Sequence, residues 1–304
     1  MLGHEFVGLV DAVHDAAAER WVGQRVVGEI NVVPDPDAPL YGIEAADADP
    51  TLVRNHAPDR TCLGIVGKDG AHAEYLTLPL RNLLAVPDGV SDSAAVFCEP
   101  LAAACRIVEQ GLVGESDRVA IVGDGKLGLL IAEVLGRQPL RQPPTLFGRH
   151  ERKMALVSEL CATRPVPAEG ADGVVEDFDV VVESSGSVDG KRAAPARPVF
   201  IPQRLSCGCR AGLSFATEIC RPLGTVVLKT TCAPDGSAAA ALAAVSNTVV
   251  VKELRVLGSR CGPHPMAMEL LDGAVDVGKY VEAEYPLAEV RRPHHPCGPL
   301  CPLP

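Results

Sequence analysis

Arg118-Val119-Ala120-Ile121-Val122-Gly123-Asp124-Gly125-Lys126-Leu127-Gly128-Leu129-Leu130-Ile131-Ala132 decides how this chain is read. The run from Arg118 to Val122 is a compact apolar strand candidate. It enters Gly-Asp-Gly-Lys-Leu-Gly without a break and then gives way to a helical pattern over Lys126 to Arg137, with Leu127, Leu130, Ile131 and Val134 on one face. A G-x-G-x-x-G pattern has weight only in this setting, between a strand and a helix. Gly123 permits a tight turn, Gly125 lets backbone N–H groups approach a pyrophosphate, and Gly128 allows the helix to pack closely while its N-terminus, with Lys126 and Leu127, faces the anion. An adenine dinucleotide is the natural ligand of such a corner, and a fortuitous turn is the bland alternative.

Working outward, Thr145–Phe147, Phe178–Val182 and Thr225–Leu228 are further strand candidates, and Glu151–Leu160 is a further helix. Strands alternating with helices predict an α/β fold built on a doubly wound parallel sheet. Upstream the pattern differs. Short β-like runs at Phe6–Val10, Arg25–Val33, Ala73–Leu78 and Asn82–Val86, separated by turn residues, predict a small, mostly β unit. Pro34 to Pro50 loses periodicity and reads as an exposed lobe. Ser91 to Ser93 offers caps for a helix toward Gln110 with a kink at Pro100.

Two stretches break the order. Residues 188–210 carry five Lys/Arg and no acid after Asp189, which marks an insert in an acidic chain. The tail 291–304 has five prolines and is expected to be disordered.

At the end of the strand after the glycine loop, an acid would hydrogen-bond an adenosine ribose. The chain instead reads Phe147-Gly148-Arg149-His150, so Arg149 suits a 2′-phosphate and favours NADP over NAD, unless it is simply the start of a basic surface helix.

The 304 residues have a net charge of −11, with 28 Lys+Arg against 39 Asp+Glu, and no basic patch stands out, so nucleic acid is not an expected partner. A 47% hydrophobic composition supports a sizeable core, but no run is long enough to span a membrane. The eleven cysteines include no C-x-x-C, and reduced, packed thiols in the cytoplasm are expected.

The opening Gly3-His4-Glu5-Phe6-Val7-Gly8 puts a His and a Glu side by side where both can reach one metal ion. With the glycine loop, and with Gly70-Ala71-His72-Ala73-Glu74-Tyr75, Glu99-Pro100-Leu101-Ala102, Val182-Glu183-Ser184-Ser185-Gly186 and Gly258-Ser259-Arg260, the chain resembles the medium-chain zinc-dependent alcohol dehydrogenase family, its threonine and sorbitol dehydrogenase-like branch in particular. The resemblance implies a truncated GroES-like catalytic domain over 1–100, a Rossmann domain over 101–261 containing the 188–210 insert, and a return to the catalytic domain over 262–290. It implies that His4 ligates zinc, that Glu5 does so directly or through water, and that Glu99 supplies a further carboxylate; backbone-satisfied surface side chains are the alternative. Ser184, Ser185, Gly186, Ser259 and Arg260 would approach the nicotinamide, although Arg260 equally suits a structural ion pair.

The family's first zinc ligand is a cysteine that precedes a start such as this one, so an N-terminally truncated member with one incomplete catalytic zinc site is expected. Cys62 and Cys98 are not in its position. The four cysteines of the family's second zinc site are missing too, so no structural zinc is expected. The implied activity is hydride transfer between NADP or NAD and a small-molecule secondary alcohol, polyol or hydroxy-amino acid, with a homo-oligomer possible. The alternatives are a dinucleotide-binding protein without catalysis, from a truncated or misassembled gene, and a zinc-free reductase.

Overall fold

The computed structural model describes residues 2–34, 55–167, 177–185, 212–230 and 238–289, with side chains from 243 in the last stretch. Residues 35–50 of the expected lobe, the 188–210 insert and the 291–304 tail lie outside the described residues. The chain divides into two compact units, Met1–Glu99 with His264–Pro304, and Pro100–Pro263.

In the first unit, β1 (Gly8–Leu9), β2 (Arg25–Gly28) and β6 (Leu83–Ala85) form one antiparallel sheet in the order β1-β2-β6. A second sheet joins β3 (Asn31–Val32), β4 (Thr61–Leu63) and β5 (Gly67–Lys68). The single run expected over 25–33 is therefore two strands, broken at Glu29 and Ile30. The break is filled by a buried polar knot. Asn82 Nδ2 donates to the carbonyls of Glu29 (2.8 Å) and Asn31 (2.7 Å), and Glu29 Oε1 accepts from Asn31 Nδ2 (2.9 Å). Buried backbone oxygens that leave a ladder need such partners.

Residues 73–78 are not a strand, contrary to their alternating pattern. The neighbouring backbone is spent on the N-terminal segment instead, through Ala71 N to Gly3 O (2.8 Å) and His72 N to Leu2 O (3.0 Å), and Leu78 packs on Gly28. The helix expected over 91–110 is two: α1 (Asp92–Ala95), capped by the Ser91 hydroxyl at Ala94 N, and α2 (Cys98–Glu109). Pro100 does not kink it, because it lies in the first turn of α2, where an N–H would have no acceptor within the helix.

The second unit is a six-stranded parallel sheet in the order β12-β11-β10-β7-β8-β9, made of β7 (Val119–Val122), β8 (Thr145–Gly148), β9 (Ala162–Pro165), β10 (Phe178–Glu183), β11 (Cys220–Leu228) and β12 (Arg255–Gly258). β7 is buried throughout, with β8 on one side and β10 on the other. The winding thus reverses between β7 and β10, and in open α/β sheets ligands bind beyond the strands' carboxyl ends at such a reversal. The helices are α3 (Lys126–Leu135), α4 (Glu151–Ala155), α5 (Gly212–Ile219) and α6 (Ala238–Val251). α4 is half the expected length, since the chain after Ala155 continues in i to i−3 bonds such as Leu156 N to Lys153 O and Val157 N to Met154 O.

Phe147 meets Phe178 and Phe215 edge-on, 5.8 and 5.1 Å between centroids, within a core that includes Val122, Val181, Ile219 and Val226. α7 (His264–Leu271) returns the chain to the first unit. Among the described residues no helix is long and apolar enough to cross a membrane.

Candidate functional site

In the first unit His4, Glu5 and Glu99 come together, each offering one ligand atom, all within 4.8 Å of one another. His4 Nε2 lies 3.8 Å from Glu99 Oε2. Two ligands about 2.1 Å from a tetrahedral ion would lie roughly 3.4 Å apart, so a small adjustment accommodates a divalent cation. Local packing explains the placement. Gly3 adopts φ +95°, and Gly64 and Gly70 press against its carbonyl oxygen so closely that a β-carbon on either would overlap it. This clamp fixes the backbone immediately before His4. Glu99 comes from the first turn of α2 with 13% of its side chain exposed. One imidazole and two carboxylates are hard or borderline donors that fit zinc or a similar divalent ion. Cys62 and Cys98 are buried and do not join the group; Cys98 Sγ donates to His264 O at 3.6 Å.

In the second unit the glycine corner lies at the end of β7. Gly123 has φ +117°, which disfavours a side chain, and a β-carbon there would meet Ser185 N at 2.9 Å. Gly123 N donates to Phe147 O at 2.9 Å, tying the loop to β8. Gly125 caps α3, with open space where its β-carbon would be, and Lys126 and Leu127 form the first turn. Gly128 packs directly on Gly123 O. α3 therefore presents its first N–H groups beside an unobstructed backbone, the arrangement that receives an anion.

Ser184 and Ser185 adjoin this corner. Ser184 donates from N (2.9 Å) and Oγ (3.0 Å) to Val122 O, while Ser185 N donates to Glu183 Oε1 (2.8 Å). Gly186 lies outside the described residues. Ser259 is buried and Arg260 exposed; Lys229 Nζ donates to Ser259 Oγ (3.2 Å) and Arg260 O (2.8 Å), and to Ala103 O (2.5 Å).

Three residues escaped the sequence reading. Glu183, 1% exposed, accepts from Ser185 and from Thr230 Oγ1 (3.0 Å), and Lys229 staples β12's end to α2. Glu183 lies in the Val182–Gly186 run quoted above but without an assigned role, and Lys229 has no sequence signal beyond its place after β11. The third stands beside the end of β8, which itself ends on no acid. It is Asp124, whose Oδ2 accepts from Arg149 N (2.8 Å) and His150 N (2.6 Å). It comes from the loop rather than from the strand itself. Arg149 is exposed.

Residues 1–88 match the alcohol dehydrogenase GroES-like domain. The chain is 33% identical over 203 residues to L-threonine 3-dehydrogenase of Chelativorans sp. (strain BNC1), covering 62% of this chain and 54% of that one. Its first 88 residues thus carry an alcohol dehydrogenase GroES-like domain, and over the matched stretch the chain is similar to a threonine dehydrogenase. The chain also resembles alcohol dehydrogenase TADH of Thermus sp. ATN1, with TM-score 0.66, 25% identity, and coverage of 95% of this chain and 80% of that one. The rspB alcohol dehydrogenase of Escherichia coli CFT073, solved with NADH, shares the fold at TM-score 0.67 and 20% identity over 95% of this chain and 77% of that one. The chain spans about half the length of the curated relatives it matches.

Proposed function

We propose that this chain is a nicotinamide-dependent oxidoreductase that transfers a hydride between NADP or NAD and a secondary alcohol, polyol or hydroxy-amino acid, assisted by zinc. The observation that carries the proposal is the corner at Gly123, Gly125 and Gly128, where sterics forbid side chains at Gly123 and Gly128, and open space at Gly125 leaves the N–H groups at the start of α3 accessible to a pyrophosphate. Arg149 takes the adenosine ribose end, with NADP favoured by its charge. Ser184, Ser185, Ser259 and Arg260 shape the nicotinamide end, held by Glu183 and Lys229.

The nicotinamide supplies the hydride acceptor when the substrate is oxidised. Zinc at this donor set supplies Lewis-acid stabilisation of negative charge developing on a hydroxyl oxygen. His4, Glu5 and Glu99 are the residues that would hold it. The similarity to a threonine dehydrogenase supports the hydroxy-amino acid class, and the NADH bound to a structural relative supports the cofactor class. A cytoplasmic, homo-oligomeric enzyme completes the reading; buried Cys105, Cys161 and Cys220 support a reducing compartment.

One observation favours a second reading, a dinucleotide-binding protein without catalysis. The metal group contains no thiolate among the described residues, which removes a soft donor and lowers zinc affinity. Turnover on an alcohol panel with added zinc separates the two. The dehydrogenase reading expects NADP- or NAD-dependent oxidation that falls with chelator and with His4→Ala. Turnover indifferent to both would reject zinc assistance, and none at all would favour the second reading.

A further inference from the structure

Asp124 organises the turn that follows β8. Its carboxylate belongs to the glycine loop yet reaches the turn between β8 and α4. Three donors converge on one oxygen, Oδ2: the N–H groups of Arg149 (2.8 Å) and His150 (2.6 Å), and the His150 ring Nδ1 (2.9 Å). Oδ1 accepts nothing from the described residues. Asp124 is only 7% exposed. The side chain lies flat against Gly148, whose missing β-carbon would sit 2.7 Å from Asp124 Cβ and 2.8 Å from Met154 Sδ. With Gly123 N bonded to Phe147 O at 2.9 Å, the loop and the turn are fastened at two points.

This inference rests on the reading of the corner as a dinucleotide site. We propose that Asp124 is a positioning residue for cofactor choice, fixing the backbone of Arg149 so that its guanidinium is available to a 2′-phosphorylated ribose. A loop carboxylate near a phosphate would by itself repel it. Here charge-assisted bonds from two backbone amides and an imidazole engage that charge. The same bonds hold Arg149 at its backbone while leaving its side chain exposed. A guanidinium on a fixed backbone loses less freedom on meeting a phosphate than one on a mobile turn. The acid that would select an unphosphorylated ribose is thereby turned into a support for the residue that selects the opposite.

The test uses the full chain and the two adenosine halves of the cofactors, 2′,5′-ADP and 5′-AMP, in calorimetric titrations of wild type, Asp124→Asn, Arg149→Ala and the double variant. Wild type should prefer 2′,5′-ADP. Asp124→Asn should weaken 2′,5′-ADP about tenfold and change 5′-AMP by no more than about twofold, and in the Arg149→Ala background it should have no further effect on 2′,5′-ADP. A purely structural role would weaken both probes alike and persist without Arg149, which would overturn the proposal, as would tighter 2′,5′-ADP binding by Asp124→Asn. If Asp124→Asn does not fold by thermal scan, Asp124→Ser, which keeps an acceptor oxygen, takes its place with the same expectations. Equal affinity of wild type for the two probes defeats this proposal and leaves the dinucleotide reading standing. Binding of neither defeats both.

Discussion

Gly128 sets its α-carbon against the carbonyl oxygen of Gly123, leaving no space between them for a β-carbon. Helix α3 and the turn that precedes it are therefore one packed unit, and the open N–H groups at the helix start keep their direction because that packing is closed. Gly128→Ala should push the helix away from the loop. The expected cost is about 1–3 kcal/mol of stability, the usual range for an overpacked site, and nucleotide affinity should fall with it. Denaturant unfolding together with NADPH titration checks this; wild-type affinity in a Gly128→Ala protein would mean that the helix start is not the anion site.

The metal group gives a separate prediction, confined to the first unit. After dialysis against zinc and removal of excess, elemental analysis should find about one ion per chain, the stoichiometry of a single site. His4→Ala and Glu99→Gln should each weaken uptake by about tenfold or more, since each removes one of three protein donors. Equal zinc content in the wild type and both variants would place the ion elsewhere.

Buried thiols predict an alkaline limit. Burial pushes Cys105 up to about 12, and Cys161 and Cys220 each to about 11, against an ordinary value of 9.0. The folded protein holds these protons to higher pH than the unfolded chain does. The stability they contribute is thus complete below pH 9.0 and drains away as pH climbs toward 11 to 12. Denaturation midpoints should fall between about pH 8 and pH 11, and a thiol reagent near pH 8 should modify these cysteines only after unfolding. Rapid labelling of Cys105 in the native protein would contradict its burial.

The parts of the fold written in continuous apolar runs were legible. Val119–Val122, Thr145–Phe147 and Phe178–Val182 are central strands covered on both faces, and their sequences say so. The sheet's edges were not, because β9 and β12 are exposed along their whole length and their apolar residues, Ala162 in β9 and Val256 and Leu257 in β12, are too few to form a run. The 73–78 run misled for the opposite reason: its alternation is real, but the backbone hydrogen bonds beside it go to Leu2 and Gly3. At the site, the three glycines stood out by their place between a strand and a helix, and His4 and Glu5 by their adjacency, their ligand roles coming from the resemblance. Glu99 needed the resemblance. Asp124, Glu183 and Lys229 act across distances of 25 residues or more or through strand ends, where only folding brings donor and acceptor together.

The measurement closest to the central claim is amide hydrogen exchange of the full chain with and without saturating NADPH or NADH. The account predicts slowed exchange concentrated at Asp124 to Gly128, where the corner's open N–H groups would grip the diphosphate. Nucleotide binding that leaves those amides exchanging at their free rate, or no change anywhere with either nucleotide, would contradict it.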